Sequence, residues 1–123
     1  MTGANMFQEK RIYPRFPAEF QVKYRLIEEG VPAESIADLH KREINTQTQD
    51  ISLGGMFIVA NQRLDIGGIL TFRCIFPRNL GSFSAFGEVV WVNGQGGGVH
   101  FLALKESDMN SLKAVLEKYS SLV

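Results

Sequence analysis

Ile44-Asn45-Thr46-Gln47-Thr48-Gln49-Asp50-Ile51-Ser52-Leu53-Gly54-Gly55-Met56-Phe57-Ile58-Val59-Ala60 reads as two strands and the corner between them. The first run, 44–50, is rich in Thr and Gln and reads as an exposed strand. The second, 56–60, is short and apolar and reads as a buried one. Between them Asp50, Ser52, Gly54 and Gly55 are more than a turn needs. Glycine permits positive φ and close approach to the backbone. Asp and Ser offer acceptors, and Ser also a donor.

Outward from this corner the period-two pattern continues. Phe16, Ala18, Phe20, Val22, Tyr24 and Leu26 alternate with Pro17, Glu19, Gln21, Lys23 and Arg25, the mark of a half-buried strand. Pro17 belongs near its start, since proline donates nothing to a ladder. The segment 28–42 breaks the alternation at Gly30 and Pro32, and 33–42 is expected to form a short helix with Ile36 and Leu39 inward. Further strands are expected over 69–76, 83–93 and 99–104, with turns at 61–68 and 77–82 and a glycine-rich turn at 94–98. The period then changes. Met109, Leu112, Val115, Leu116 and Tyr119 form one stripe of a helix over 107–120, with Ser107 as its cap.

Several short antiparallel strands followed by one amphipathic helix predict a mostly β fold, a small barrel with a helix packed on it. The chain has 123 residues, a single-domain length, and its 45% apolar content is enough for a core without metals or disulfides. Lys plus Arg and Asp plus Glu number 13 each, so global charge does not draw the chain to nucleic acid or anionic lipid. Any anion must be caught by local clustering of positive charge. Cys74 is the sole cysteine, lies in an apolar run and reads as a core residue, which fits a reducing, cytoplasmic setting. No run reaches the ~20 apolar residues of a membrane-spanning helix. Residues 1–9 lack the pattern of a signal peptide and are expected to be a flexible lead-in to a single domain over 10–123.

Upstream of the first strand lies Lys10-Arg11-Ile12-Tyr13-Pro14-Arg15, with arginines four residues apart. Pro14 disfavours the α conformation at Tyr13, so an extended loop is expected. Arg11 through Arg15 matches RxxxR, and Asp50 through Gly55 matches [D/N]xSxxG. In this order, with these strands, the two motifs resemble the PilZ domain, a bacterial receptor for cyclic di-GMP. The resemblance runs from about Lys10 to about Tyr119. It implies a six-stranded antiparallel barrel with a C-terminal helix, and Gly98-Val99-His100-Phe101 before a helix is similar to the family's C-terminal end.

The resemblance also implies roles. Arg11 and Arg15 would contact phosphate and guanine, Asp50 and Ser52 the other guanine edge, and Gly55, with Gly54, would keep space and backbone groups available. Arginine's planar fork suits both phosphate oxygens and the O6 and N7 edge of guanine. Lys10 stands where the family's residue bears on whether one ligand or a stacked pair is bound. Trp91 would offer an aromatic wall, although its place in an apolar strand reads as structural. His40 and His100 have no neighbouring ligand set, and no metal or cofactor is expected. No triad or phosphate-binding GxxxxGK[ST] loop is present, which predicts a receptor that is not an enzyme. Binding would order the arginine loop and pass the signal to a protein partner. The family implies outputs in motility, pilus function, exopolysaccharide production and biofilm formation.

Two other readings compete. One is an interaction module that keeps the barrel but binds the nucleotide weakly or not at all; an internal salt bridge fixing Arg15 would favour it. The other is a barrel for single-stranded nucleic acid, which demands a basic groove with exposed aromatics. Net neutrality argues against nucleic acid, and membrane insertion is not expected.

Overall fold

A computed structural model describes residues 14–27 and 43–121. The expected helix over 33–42 and the expected lead-in over 1–9 lie outside these residues, as do Lys10 and Arg11. The described residues form seven strands: β1 (Phe16–Pro17), β2 (Gln21–Ile27), β3 (Ile44–Ile51), β4 (Gly55–Val59), β5 (Ile69–Ile75), β6 (Ser82–Val92) and β7 (Gly96–Leu102). One helix follows, α1 (Glu106–Ser121). All pairings are antiparallel, in the order β1-β3-β2-β5-β6-β7-β4, and β4 returns to β3. Six strands thus close into a barrel, and β1 lies outside it along β3. Closure leaves the six without free edges.

The alternation in 16–26 holds, yet the run divides. Phe16 and Pro17 pair with Ile51 and Asp50, whereas Gln21 and Val22 pair with Gln47 and Thr46. One extra residue therefore sits on the 18–20 side. Thr48, fully buried, fastens this irregularity. Its Oγ1 accepts from Phe20 N at 2.9 Å and donates to Ala18 O, while its own amide donates to Phe20 O at 2.9 Å. β3 is accordingly half-buried where 44–50 read as exposed.

Inside the barrel Phe20, Phe72, Phe76, Phe83 and Phe101 form one aromatic cluster with Val22, Leu70, Cys74 and Val89. Burial pushes the Cys74 thiol up to about 12. Leu112, Val115 and Leu116 bring the stripe of α1 into the same core, against β6 and β1. The helix begins at Glu106, so Ser107 lies in its first turn and is not the cap; its carbonyl accepts from Ser111 Oγ at 3.0 Å. Glu106 and Asp108 place negative charge where the helix dipole is positive.

The glycine run also differs from expectation. Gly96, Gly97 and Gly98 are inside β7, and the turn before it is closed by Asn93, whose Oδ1 accepts from Gln95 N and Gly96 N at 2.7 and 3.0 Å. Among the described residues no helix is long and apolar enough to cross a membrane.

Candidate functional site

The site begins with a bulge. Thr48 pairs with Ile58, but Asp50 pairs with Phe57 and Ile51 with Met56, so Gln49 is the extra residue on β3. Strict alternation from Thr48 would point Asp50 inward and Ile51 outward. The bulge reverses this: Ile51 is fully buried and Asp50 reaches the outer surface. β1 runs beside this point, which carries Arg15 to the same place. Arg15 Nη1 donates to Asp50 Oδ1 at 2.9 Å, with side chains 49% and 31% exposed. The two motifs, 35 residues apart in sequence, therefore meet in one ion pair.

Ser52 is buried and shapes the corner. Its Oγ accepts from Gly54 N at 3.1 Å and Gly55 N at 3.2 Å, and its amide donates to Gly55 O at 2.8 Å. Side chains of this type commonly serve backbone in this way. Gly54 O accepts from Phe101 N at 2.9 Å, tying the corner to β7. At Gly55 a Cβ would collide with the carbonyl of Val99, so this glycine is required by the close approach of β4 to β7. Ser52, Gly54 and Gly55 thus build the platform that presents Asp50.

A second bulge lies across the barrel wall. Val89 pairs with Val99, but Trp91 pairs with Gly98, which makes Val90 the extra residue on β6. Val90 and Trp91 are 46% and 40% exposed. A Cβ on Gly98 would collide with the Trp91 indole, so the missing side chain is the slot in which the ring lies. Phe57, buried but outside the core cluster, meets the same ring with centroids 5.1 Å apart and planes at 31°.

The register turns these pieces into one row. Pro17, Asp50, Phe57, Gly98 and Trp91 are successive cross-strand partners over β1, β3, β4, β7 and β6. Three strand spacings separate Asp50 from Trp91, roughly 14 Å. An arginine–carboxylate pair stands at one end and an indole at the other. The structure therefore brings Arg15, Asp50 and Trp91 onto one surface, with Ser52, Gly54 and Gly55 beneath it. Phe57 and Gly98 belong to the same row and were not visible as such. Phe57 sits in a run apolar at every position, and Gly98 in a run that looks like a turn. Among the described residues no cluster of His, Cys, Asp or Glu is arranged to hold a metal ion.

The pattern of the PilZ domain matches residues 9–118. Among solved structures, the inhibitor of motility MotI/DgrA of Bacillus subtilis is 16% identical with a TM-score of 0.67, over 90% of this chain and 52% of that one. The chain thus spans about half of that protein. The PilZ domain of YcgR from Escherichia coli, solved with c-di-GMP, is 13% identical with a TM-score of 0.64, over 91% and 92%. The PilZ domain of CeSA from a cellulose-synthesizing bacterium is 14% identical with a TM-score of 0.55, over 88% and 96%. At such identities these likenesses concern the fold. No curated protein matches the sequence. With a family pattern covering nearly its whole length and a barrel of the same kind, the chain belongs to the PilZ domain family.

Proposed function

We propose that this chain is a non-catalytic receptor for cyclic di-GMP, acting in the cytoplasm. The observation that carries the reading is the Arg15–Asp50 pair at 2.9 Å, which joins both motifs on the outer row that ends at Trp91. Arg15, with Arg11 and Lys10 upstream, supplies cationic groups for the two phosphodiesters and guanine edges of the ligand. Asp50 supplies the acceptor for guanine N–H groups. Trp91 offers a ring face at the far end of the row. Ser52, Gly54 and Gly55 act through the shape of the corner. The ligand contains the phosphates and purines; the chain's part is to place charge and surface against them.

Arg15 and Asp50 satisfy each other. Exposed pairs of this kind contribute only about 0–1 kcal/mol, so releasing them to a ligand costs little. Both then gain charge-assisted partners. Ordering of the arginine loop over the row passes the state of the site to a protein partner. Motility is the output favoured by the likeness to MotI, an inhibitor of motility; pilus function, exopolysaccharide production and biofilm formation belong to the same reading. The alternative, a PilZ-like interaction module with weak or no nucleotide binding, gains weight from the Arg15–Asp50 pair, since that pair is an internal salt bridge. The 49% exposure of Arg15 speaks for the receptor instead.

Calorimetric titration with cyclic di-GMP, GTP and a linear dinucleotide tests this. Saturable binding of the cyclic ligand alone is expected, weakened by roughly 1–3 kcal/mol in Arg15→Ala and in Asp50→Ala. Equal heats for all three ligands, or unchanged affinity in both variants, would refute it.

A further inference from the structure

The barrel wall opposite the row is built differently. β5 stands across the ring from β4, and its outward residues pair with those of β2 and β6. Lys23 faces Arg73 directly, Arg25 faces Thr71, Arg73 faces Ser84 and Thr71 faces Phe86. Lys105 completes the rim. These residues line a depression of about 510 Å³ in which four cations meet one carboxylate, Glu43. Glu88 lies just beyond Phe86 on the same side of β6. Among the described residues none of Lys23, Arg25, Arg73 and Lys105 takes part in an ion pair. Like charges directly opposed on a ladder destabilise it.

The cations are bordered by apolar side chains. Phe86 is 50% exposed, and Ile27, which pairs with Ile69, is 43% exposed. We propose that this face docks on an anionic phospholipid surface. Arginine forks and the Ser84 and Thr71 hydroxyls suit headgroup phosphates, and Phe86 and Ile27 suit the boundary between headgroup and acyl chain. Single-stranded nucleic acid would want a series of stacking rings, whereas among the described residues Phe86 is the one aromatic side chain exposed on this face. The inference is independent of the nucleotide site, which lies on the other wall, and it concerns adsorption to a surface without insertion of a helix.

The test is cosedimentation of the whole chain with phosphatidylcholine vesicles, plain or with about a third phosphatidylglycerol. Binding to the anionic vesicles alone is expected, and it falls as salt rises. Each cation removed weakens it about fivefold, and the reversals Arg73→Glu and Lys105→Glu weaken it further. Arg63→Glu changes net charge equally but lies in the loop after β4, and it leaves binding at the parent level. Phe86→Ser weakens binding without changing its salt dependence. A thermal melt establishes that each variant is folded. Failure of the parent to bind, or equal loss in Arg63→Glu, overturns the proposal. Oligo(dT) or polyglutamate binding with the same dependence on Arg73, in place of the vesicles, also overturns it.

Discussion

The two walls of this barrel obey different rules. The wall around β5 is regular: β2, β5 and β6 pair without interruption from Ile27, Ile69 and Glu88 to Gln21, Ile75 and Ser82. Every second residue enters the core and every other one faces out. The wall around β4 is broken twice, at Gln49 on β3 and at Val90 on β6. Each break turns one polar or aromatic residue, Asp50 or Trp91, onto a shared outer row. Regular pairing serves packing, because an unbroken alternation keeps all apolar side chains on one side. A bulge shifts the phase by one residue, which lets a buried strand present a chosen side chain to solvent.

If stability rests chiefly on the regular wall, the largest effect should come from its aromatic cluster. Phe72→Ala is expected to cost about 3–5 kcal/mol in denaturant unfolding, because Phe72 contacts both Phe83 and Phe101. A much smaller cost would mean that the two walls share the load. The same wall should be sensitive to alkali. Burial raises the Cys74 thiol from 9.0 to about 12 and also raises the Tyr24 phenol. Between those values the folded chain holds protons that the unfolded chain has released. For Cys74, stability therefore falls as pH rises from about 9 toward 12, by up to ~1.4 kcal/mol per pH unit, and Tyr24 adds to the decline above its ordinary value of 10.0. Unfolding measured across this range should show a shallower decline in Cys74→Ala.

The broken wall should respond to losses of hydrogen bonding instead. Thr48→Val keeps the shape but leaves Phe20 N and Ala18 O without their side-chain partner. A loss of about 1–3 kcal/mol is expected, together with weaker cyclic di-GMP binding, since the irregularity steers β1 and Arg15. Ser52→Ala removes the acceptor for Gly54 N and Gly55 N and should cost about 1 kcal/mol. Smallest of all, Arg15→Ala should change the unfolding free energy by less than about 1 kcal/mol, because its ion pair is open to solvent. A large destabilisation there would make Arg15 a structural residue and weaken the contrast between the walls.

Much of this was legible from residue order alone. The alternation of 16–26, the apolar spacing of 69–76 and 83–89, and the helical stripe from Met109 to Leu116 are local patterns, and local sterics and burial dictate them. The pairing of an RxxxR stretch with Asp50, Ser52 and Gly55 was legible too, since motif residues are read by type and spacing. The bulges were not. A strand with one extra residue looks like any other until its partner is known, because register is a property of two strands. For that reason the places of Phe57 and Trp91 on the outer row were not legible, and Gly96 through Gly98 read as a turn. Contact between Arg15 and Asp50, the slot over Gly98 and the gathering of Lys23, Arg25, Arg73 and Lys105 around one depression exist only once the sheet has closed. Composition counts charges, and closure decides which of them become neighbours.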